Sequence, residues 1–208
     1  MTEAFNLVSS YRKNLEMKLD PMRYEHSLSV SYTCMSLAMR YGYDMEKAEL
    51  AGLLHDCGKR YSDDIILKKC KKHGIAFTPE EEEAPAVLHA NYGAWLAEHK
   101  YGLQDEEILS AILYHTTGRP AMTTLEKIVY IADYIEPRRH KASDLPRIRR
   151  LAYEDLDETM YEILKGTVSY LDKKASKTDP VTLKALAYYE ELHDEKDRIS
   201  QVRHTCEP

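Results

Sequence analysis

Residues 48–59 read AELAGLLHDCGK, an apolar run that closes on a histidine, an aspartate and, shortly after them, a glycine. Neighbouring residues of a helix point about 100° apart, so His55 and Asp56 can reach one metal ion only where the helix ends or where one of them approaches from the side. Gly58 provides that ending. Because a buried imidazole or carboxylate needs a charged or hydrogen-bonding partner, we interpret His55-Asp56 as the centre of a candidate metal site.

Signals for helix boundaries surround this segment on both sides. Asp20-Pro21 combines an N-cap with a proline at the first helical position, and Gly42 ends the predicted helix. Downstream, Pro85 predicts a helix start, and Thr124 predicts the cap of a helix over 125–135. No segment shows the period-two alternation of strands. The sequence therefore predicts an all-α fold, a single helical bundle with the metal site in its core.

Composition and length are those of one soluble globular domain. The chain has 208 residues, 43% hydrophobic and 31% charged, and its net charge of −6 argues against general nucleic-acid binding. No secretory signal and no membrane-spanning run are expected. The four cysteines lack C-x-x-C spacing, so a reducing cytoplasm is the simplest location. We place the domain at residues 1–195, with a core at about 20–185, and expect 196–208 to form a frayed tail.

Two further residues sit on apolar helix faces and extend the candidate site. His26 shares a stripe with Val30 and Leu37, where a buried histidine bonded to the backbone is the plain alternative. Asp133 lies within apolar residues on both sides. A carboxylate there costs several kcal/mol unless it is paired or metal-bound. Its alternative role is an ion pair, for which the nearby basic residues are Lys127, Arg138 and Arg139.

Together, His26, His55, Asp56 and Asp133 form a ligand set of two nitrogens and two oxygens. Without thiolate ligands it does not favour structural zinc, and mixed imidazole and carboxylate ligands suit iron or manganese, with zinc as a further candidate. His89 and His115 either bind a second ion, with Asp56 bridging, or contact substrate phosphates. The remaining histidines lie in polar contexts and are interpreted as solvated: His73, His99, His140, His193 and His204.

In their order along the chain, these motifs resemble the HD phosphohydrolases over residues 20–185, and in particular the bacterial YqeK-type family of symmetrical dinucleoside tetraphosphate hydrolases. The matching segments are RYEHS at 23–27, LHDCGK at 54–59, HANYGA at 89–94, HTTGR at 115–119 and KIVYIADYIEPRR at 127–139. Where this family often has alanine, the chain has Gly58, a mild departure.

The resemblance implies that His26, His55, Asp56 and Asp133 bind one metal, most often iron, with one or two ions in total. It implies a catalytic role for Asp56, Lys59, His89 and His115. It also implies that the nucleotide is contacted by Arg23, His26, Asp56, Cys57, Gly58, Lys59, His89, His115, Thr116, Asp133, Arg139, Ser176, Lys177, Thr178, Asp179, Pro180 and Val181. The partner implied is a small dinucleoside polyphosphate with ADP as product, and a homodimer is an open alternative to a monomer.

The expected reaction is hydrolysis of diadenosine tetraphosphate into two ADP. A metal lowers the pKa of bound water and so supplies hydroxide near neutral pH, while basic side chains stabilise phosphate charge. Arg23 is one turn from His26, Lys59 follows Asp56 by three residues, and Arg119 and Arg138-Arg139 flank His115 and Asp133. The alternatives are an HD enzyme acting on a nucleoside monophosphate, a deoxynucleoside triphosphate or a guanosine alarmone, and a nucleotide-sensing module without turnover.

Overall fold

Helices form most of the described part of the chain, and the all-α prediction is confirmed. The computed structural model describes residues 3–142 and 144–205, and this part contains no strand. Its α-helices are α1 (Glu3–Lys18), α2 (Pro21–Tyr41), α3 (Met45–Leu54), α4 (Asp63–His73), α5 (Pro79–Glu83), α6 (Leu88–Tyr101), α7 (Glu106–Tyr114), α8 (Thr124–Ile135), α9 (Leu145–Leu151), α10 (Leu156–Lys173) and α11 (Pro180–Thr205), with short 3-10 helices at Cys57–Arg60 and Pro85–Val87.

The core lies where α2, α3, α7 and α8 meet. α8 packs against α2, α3, α7 and α10, while α6 covers α7 and the 3-10 helix that follows α3. The central helix α8 is apolar almost all round, and Leu125, Ile128 and Ile131 are fully buried. Each such side chain contributes about 1.5–3 kcal/mol to folding. Elements distant in sequence are thereby held rigidly around the ends of α3, α7 and α8.

Local capping explains most of the boundaries. The Asp20 carboxylate accepts from the Arg23 N–H at the start of α2, and Gly42 ends that helix in the left-handed conformation. The predicted cap at Thr124 is wrong by one residue, because Thr123 forms a capping box with Glu126. Pro85 was expected to start a helix directly; it starts a 3-10 turn, and α6 begins at Leu88.

Two expectations concern the C-terminal region. The tail expected from residue 196 contains the end of α11, which continues to Thr205, and the domain boundary stays a prediction; Cys206, Glu207, Pro208 and the side chain of His204 lie outside the described residues. His193, expected to be solvated, is paired with Glu158 at 2.9 Å and stacked on Tyr161 at 4.3 Å between ring centroids. Among the described residues, none of the helices combines the length and apolar character that a bilayer-crossing segment requires.

Candidate metal centre

Three histidines of the site are fixed by the same local arrangement. His55 and His115 directly follow the last residues of α3 and α7, and each places its Nδ1 2.7 Å from the carbonyl three residues back. His89 does the same at 2.6 Å with Ala86, in the turn before α6. These carbonyls are free to accept because they lie at helix ends. Each ring therefore donates through Nδ1, and its neutral form presents an unprotonated Nε2.

The unprotonated nitrogens converge. The Nε2 atoms of His89 and His115 lie 3.1 Å apart, and the hydroxyl of Thr116 is 3.0 Å from one and 3.1 Å from the other. One hydroxyl proton can serve only one of these nitrogens, so the lone pair of the other stays without a partner. A cation at the point where they converge would satisfy both nitrogens.

Asp56 lies between the two histidine groups. Its Oδ1 is 3.4 Å from the Nε2 of both His89 and His115, and its Oδ2 is 3.7 Å from the Nε2 of His55. Two sets of donor atoms thus share this carboxylate, one formed by His26, His55 and Asp56 and the other by Asp56, His89 and His115. Of the two alternatives stated for His89 and His115, the shared carboxylate is the geometry that a second ion with Asp56 bridging would need, and that role stays a prediction.

Unpartnered buried atoms show that this donor set fits a metal. Within the described part of the chain, His55 Nε2 and Asp56 Oδ1 are buried without a hydrogen-bond partner, although Lys59 Nζ is 3.2 Å from Asp56 Oδ1 at ion-pair distance. Burial lowers the pKa of His55 to about 4 and that of His89 to about 3, so both rings are neutral at neutral pH. Burial also disfavours the Asp56 carboxylate, but the imidazoles and Lys59 around it hold its pKa well below the usual range.

Asp133 forms the ion pair that was its alternative role, and its role as a metal ligand stays a prediction, since neither donor group in the described residues includes it. Its Oδ1 is 3.1 Å from His26 Nε2 and 2.7 Å from the guanidinium of Arg139, whose Nε also donates to the Asp133 backbone carbonyl. Lys127 and Arg138, the other candidate partners, pair with Asp157 and Glu25 instead. Asp133 therefore joins the site through His26 while Arg139 compensates its charge.

Basic groups gather at the open side of this cluster. Arg23 approaches Asp56 Oδ2 at 3.8 Å, and Lys59 and Arg139 line a cavity of about 160 Å³. The cavity walls also include His115, Thr116, Tyr130, Asp133, Tyr134, Ile163 and Thr167. Ile163 and Thr167 come from α10, which no motif in the sequence connected with the site.

Several predicted residues lie elsewhere. Arg119 was expected among the phosphate-facing cations, but its guanidinium pairs with the buried Glu126 at 2.8 Å. Cys57 and Gly58 are buried, and the Cys57 thiol donates to the Gly93 carbonyl at 3.4 Å. Lys177, Thr178 and Asp179, of the segment 176–181, line a separate cavity of about 200 Å³ together with Glu80, Ala84 and Val87.

Two residues near the site had no role in the sequence analysis. Glu136 is buried next to His26, and Arg149 donates to the backbone carbonyls of Ile135, Glu136 and Arg139. The only sequence signal for Glu136 was a carboxylate placed directly between the apolar end of α8 and Pro137. Arg149 lies in a run of surface-like arginines and gave no signal.

Comparison with known proteins decides the family. The profile of the HD domain matches residues 23–138, the stretch that carries both donor sets. The chain belongs to the HD-domain family. Within this family its similarity to characterised members extends well beyond the matched domain.

Among relatives of this HD protein are two named bis(5'-nucleosyl)-tetraphosphatase, symmetrical. The one from Bacillus subtilis is 39% identical over 173 residues, covering 81% of this chain and 89% of that protein. The one from Staphylococcus aureus is 42% identical over 180 residues, covering 83% and 89%. A solved structure described as a predicted HD superfamily hydrolase involved in NAD metabolism, from Clostridium acetobutylicum, matches with a TM-score of 0.85 at 37% identity, covering 88% of this chain and 96% of that chain.

Proposed function

We propose that this chain hydrolyses diadenosine tetraphosphate symmetrically into two ADP with the help of bound divalent metal. The observation that carries the proposal is the Asp56 carboxylate held between His26 and His55 on one side and His89 and His115 on the other, with the Nδ1 atoms of His55, His89 and His115 each bonded to a backbone carbonyl. Relatives that this chain matches over most of their length are named for the same reaction. Both arguments favour a phosphoanhydride hydrolase over a sensor. A sensor derived from such an enzyme would be expected to have lost ligands, whereas this chain has donor atoms for both sites.

The ligand roles follow from the donor geometry. His26, His55 and Asp56, with Asp133, would hold one ion, and Asp56, His89 and His115 would hold a second. Iron is the metal we expect, with manganese as the main substitute, because the ligands are imidazole and carboxylate without thiolate. When bound, such an ion supplies Lewis acidity toward phosphate oxygens and lowers the pKa of a water.

The chain's own side chains bind and orient the polyphosphate. Arg23, Lys59 and Arg139 bring positive charge to the mouth of the cavity in a protein of net charge −6. Such groups stabilise the charge that spreads over phosphate oxygens in the transition state. The Thr116 hydroxyl sits between the two Nε2 atoms and can donate to a substrate oxygen there. Burial of Asp56 and His55 excludes water from the inner side of the site.

Further substrate contacts are assigned to the segment Ser176 to Val181. Val87, which lines the same cavity as Lys177, Thr178 and Asp179, lies two residues before His89. The cytoplasmic location, the domain boundary at residue 195 and the homodimer alternative stay predictions.

A nucleotide panel tests the function. Apoprotein reconstituted anaerobically with Fe²⁺ or Mn²⁺ should turn over diadenosine tetraphosphate faster than AMP, a deoxynucleoside triphosphate or a guanosine alarmone. A His55→Ala, Asp56→Ala variant should lose both metal and turnover. A His73→Ala, His99→Ala variant, which removes the two exposed rings stacked on Trp95, should keep both. Faster turnover of another panel member, or activity in the folded His55, Asp56 variant, would contradict the proposal.

A further inference from the structure

Glu136 is a buried carboxylate in contact with a predicted metal ligand. It directly follows α8, and only 4% of its surface is exposed. Its Oε2 accepts from the Ser29 hydroxyl at 2.7 Å and from the Arg138 backbone N–H at 2.7 Å. Its Oε1 lies 3.4 Å from Nδ1 of His26, a long contact on the side of the ring that faces away from Asp133.

The position of His26 explains why it needs this carboxylate. His55, His89 and His115 lie at helix ends, where a backbone carbonyl is free to accept from Nδ1. His26 lies inside α2, whose carbonyls are already used in the helix. Its Nδ1 therefore has to find a side-chain acceptor from another element, and Glu136 brings one from the end of α8.

We propose that Glu136 is a positioning residue that accepts from His26 Nδ1 and so aims the His26 Nε2 at the metal. The proposal rests on the function proposed above, in which His26 is a ligand. A carboxylate behind a metal-bound histidine fixes the tautomer and the ring orientation, and it makes the ligating nitrogen more basic. Losing such a partner reduces metal affinity by about 10- to 100-fold.

The competing explanation is that Glu136 only anchors the turn after α8 to α2. Three variants separate the two roles. Glu136→Ala removes every contact, whereas Glu136→Gln keeps the shape but turns an amide N–H₂ toward either His26 or the Arg138 N–H, where it meets a donor. Ser29→Ala removes one anchor bond and leaves the His26 contact in place.

A fourth variant controls for charge. Glu25→Gln removes a carboxylate one residue from His26 that is half exposed and pairs with Arg138 at 2.6 Å, without touching the His26 ring. It matches the charge change of Glu136→Gln while leaving the proposed positioning contact intact. An effect that Glu136→Gln and Glu25→Gln share would be due to the loss of a negative charge near the site and not to the loss of the contact with His26.

The measurement is Co²⁺ affinity of the full-length apoprotein by chelator competition, with thermal unfolding by circular dichroism as the check on folding. We expect both Glu136 variants to bind Co²⁺ about 10- to 100-fold more weakly at one site, with altered Co²⁺ d–d bands. Ser29→Ala and Glu25→Gln should stay within about threefold of wild type. If Glu136→Ala does not fold, Glu136→Gln decides the question.

Three outcomes would overturn the proposal. Wild-type Co²⁺ affinity in a folded Glu136→Gln protein would show that the carboxylate does not support the ligand. An equal loss in Ser29→Ala would assign Glu136 to anchoring alone. Wild-type protein that neither binds Co²⁺ nor cleaves dinucleoside polyphosphates would remove the proposed function and this role with it, a result distinct from the first two because there the wild type is active.

Discussion

Protonation of the buried histidines follows from where each one lies on its helix. An imidazole in a dry core costs free energy when charged, and burial accordingly lowers the pKa of His55 to about 4 and of His89 to about 3. With Nδ1 held by a carbonyl, the remaining lone pair can only be on Nε2. The helix ends thus determine the tautomer, and the tautomer makes these residues metal ligands.

Arg139 and Arg138 are adjacent, yet the structure gives them different partners. Arg139 pairs with Asp133 at 2.7 Å and lines the cavity beside Lys59, whereas Arg138 pairs with the exposed Glu25. We expect Arg139→Ala to lower kcat/KM by about 10- to 1000-fold, because it removes charge stabilisation at the phosphates. Arg138→Ala is the matched control and should change kcat/KM by less than about threefold. Steady-state kinetics with diadenosine tetraphosphate would measure both, and equal effects would contradict the assignment.

Individual ligands could be predicted from sequence where the context was locally unusual. His55, Asp56 and Asp133 stood out because polar groups followed or interrupted apolar helical runs. The contact of His26 with Glu136 could not be predicted, since it joins residues 110 positions apart and depends on how α2 crosses the end of α8. Arg119 was misplaced for a similar reason: the buried Glu126 that pairs with it looked like an ordinary first-turn acid.

At the scale of elements, the 3-10 helix Cys57–Arg60 packs unusually closely on α6. A Cβ added to Gly58 would lie 2.3 Å from the carbonyl oxygen of His89, which is backbone and cannot rotate away. The glycine first judged a mild departure from the family pattern is therefore required by this packing. It sets how near the Asp56 and His89 segments approach each other.

Gly58→Ala tests this packing. We expect it to lower the free energy of unfolding by about 1–3 kcal/mol, because overpacking forces the backbone apart, and to weaken metal binding by moving His89. Gly166→Ala in α10 is the control, since nothing lies within 4 Å of its added Cβ and alanine favours a helix by up to about 1 kcal/mol. Urea unfolding of both variants provides the measurement; an unchanged midpoint for Gly58→Ala would refute the requirement.

Arg149 ties α9 to the end of α8. Its guanidinium donates to the carbonyls of Ile135 and Glu136 at 2.8 Å and of Arg139 at 3.0 Å. The Ile135 carbonyl belongs to the last turn of α8, where a helix leaves carbonyls without intrahelical partners. Through these bonds it fixes the turn that carries Glu136 and Arg139. The site thus depends on a helix outside the 23–138 match to the HD domain.

Arg149→Gln should therefore affect stability and turnover together. We expect a loss of about 2 kcal/mol in the free energy of unfolding, the range for bonds to a charged donor, with reduced kcat/KM. The exposed neighbour Arg150 is the control, and Arg150→Gln should remain within about 0.5 kcal/mol of wild type. Urea unfolding and steady-state kinetics on the same samples would measure both losses. Normal turnover in a destabilised Arg149→Gln protein would show that the turn held by Arg149 does not contribute to catalysis.

Helix positions were largely predictable, because caps are local. The Asp20 carboxylate and the Thr78-Pro79 start act within three residues of themselves, so sequence alone reveals them. The C-terminal region was less predictable from the sequence, since α11 is held by tertiary packing against α10 and by the His193–Glu158 pair. Beyond residue 195 the described side chains of α11 are exposed, and Lys196 pairs with Asp155 at 2.6 Å, a long-range contact that no local pattern indicated.

Across the whole molecule the net charge is −6, yet three cations lie together at one opening. Arg23, Lys59 and Arg139 converge on that opening from α2, from the turn after α3 and from the turn after α8. A net negative charge disfavours long polyanions such as nucleic acids, and the local cations attract a short one. The charge distribution thus favours a compact polyphosphate substrate.

The position of cleavage depends on the whole molecule, because the cations that bind the phosphates come from three separate elements. If Arg23, Lys59 and Arg139 bind phosphates on both sides of Asp56, the scissile bond has a fixed position relative to the middle of a tetraphosphate bridge. Both products are then ADP. In H₂¹⁸O, one labelled oxygen should enter the terminal phosphate of only one ADP per turnover, because water attacks a single phosphorus and the other ADP departs with the bridging oxygen. Anion-exchange chromatography with mass spectrometry of products from a single-turnover reaction would measure both points. AMP and ATP as products would show that the bound phosphates are not centred on Asp56. Label in both ADP molecules would show that water had attacked a phosphorus of each.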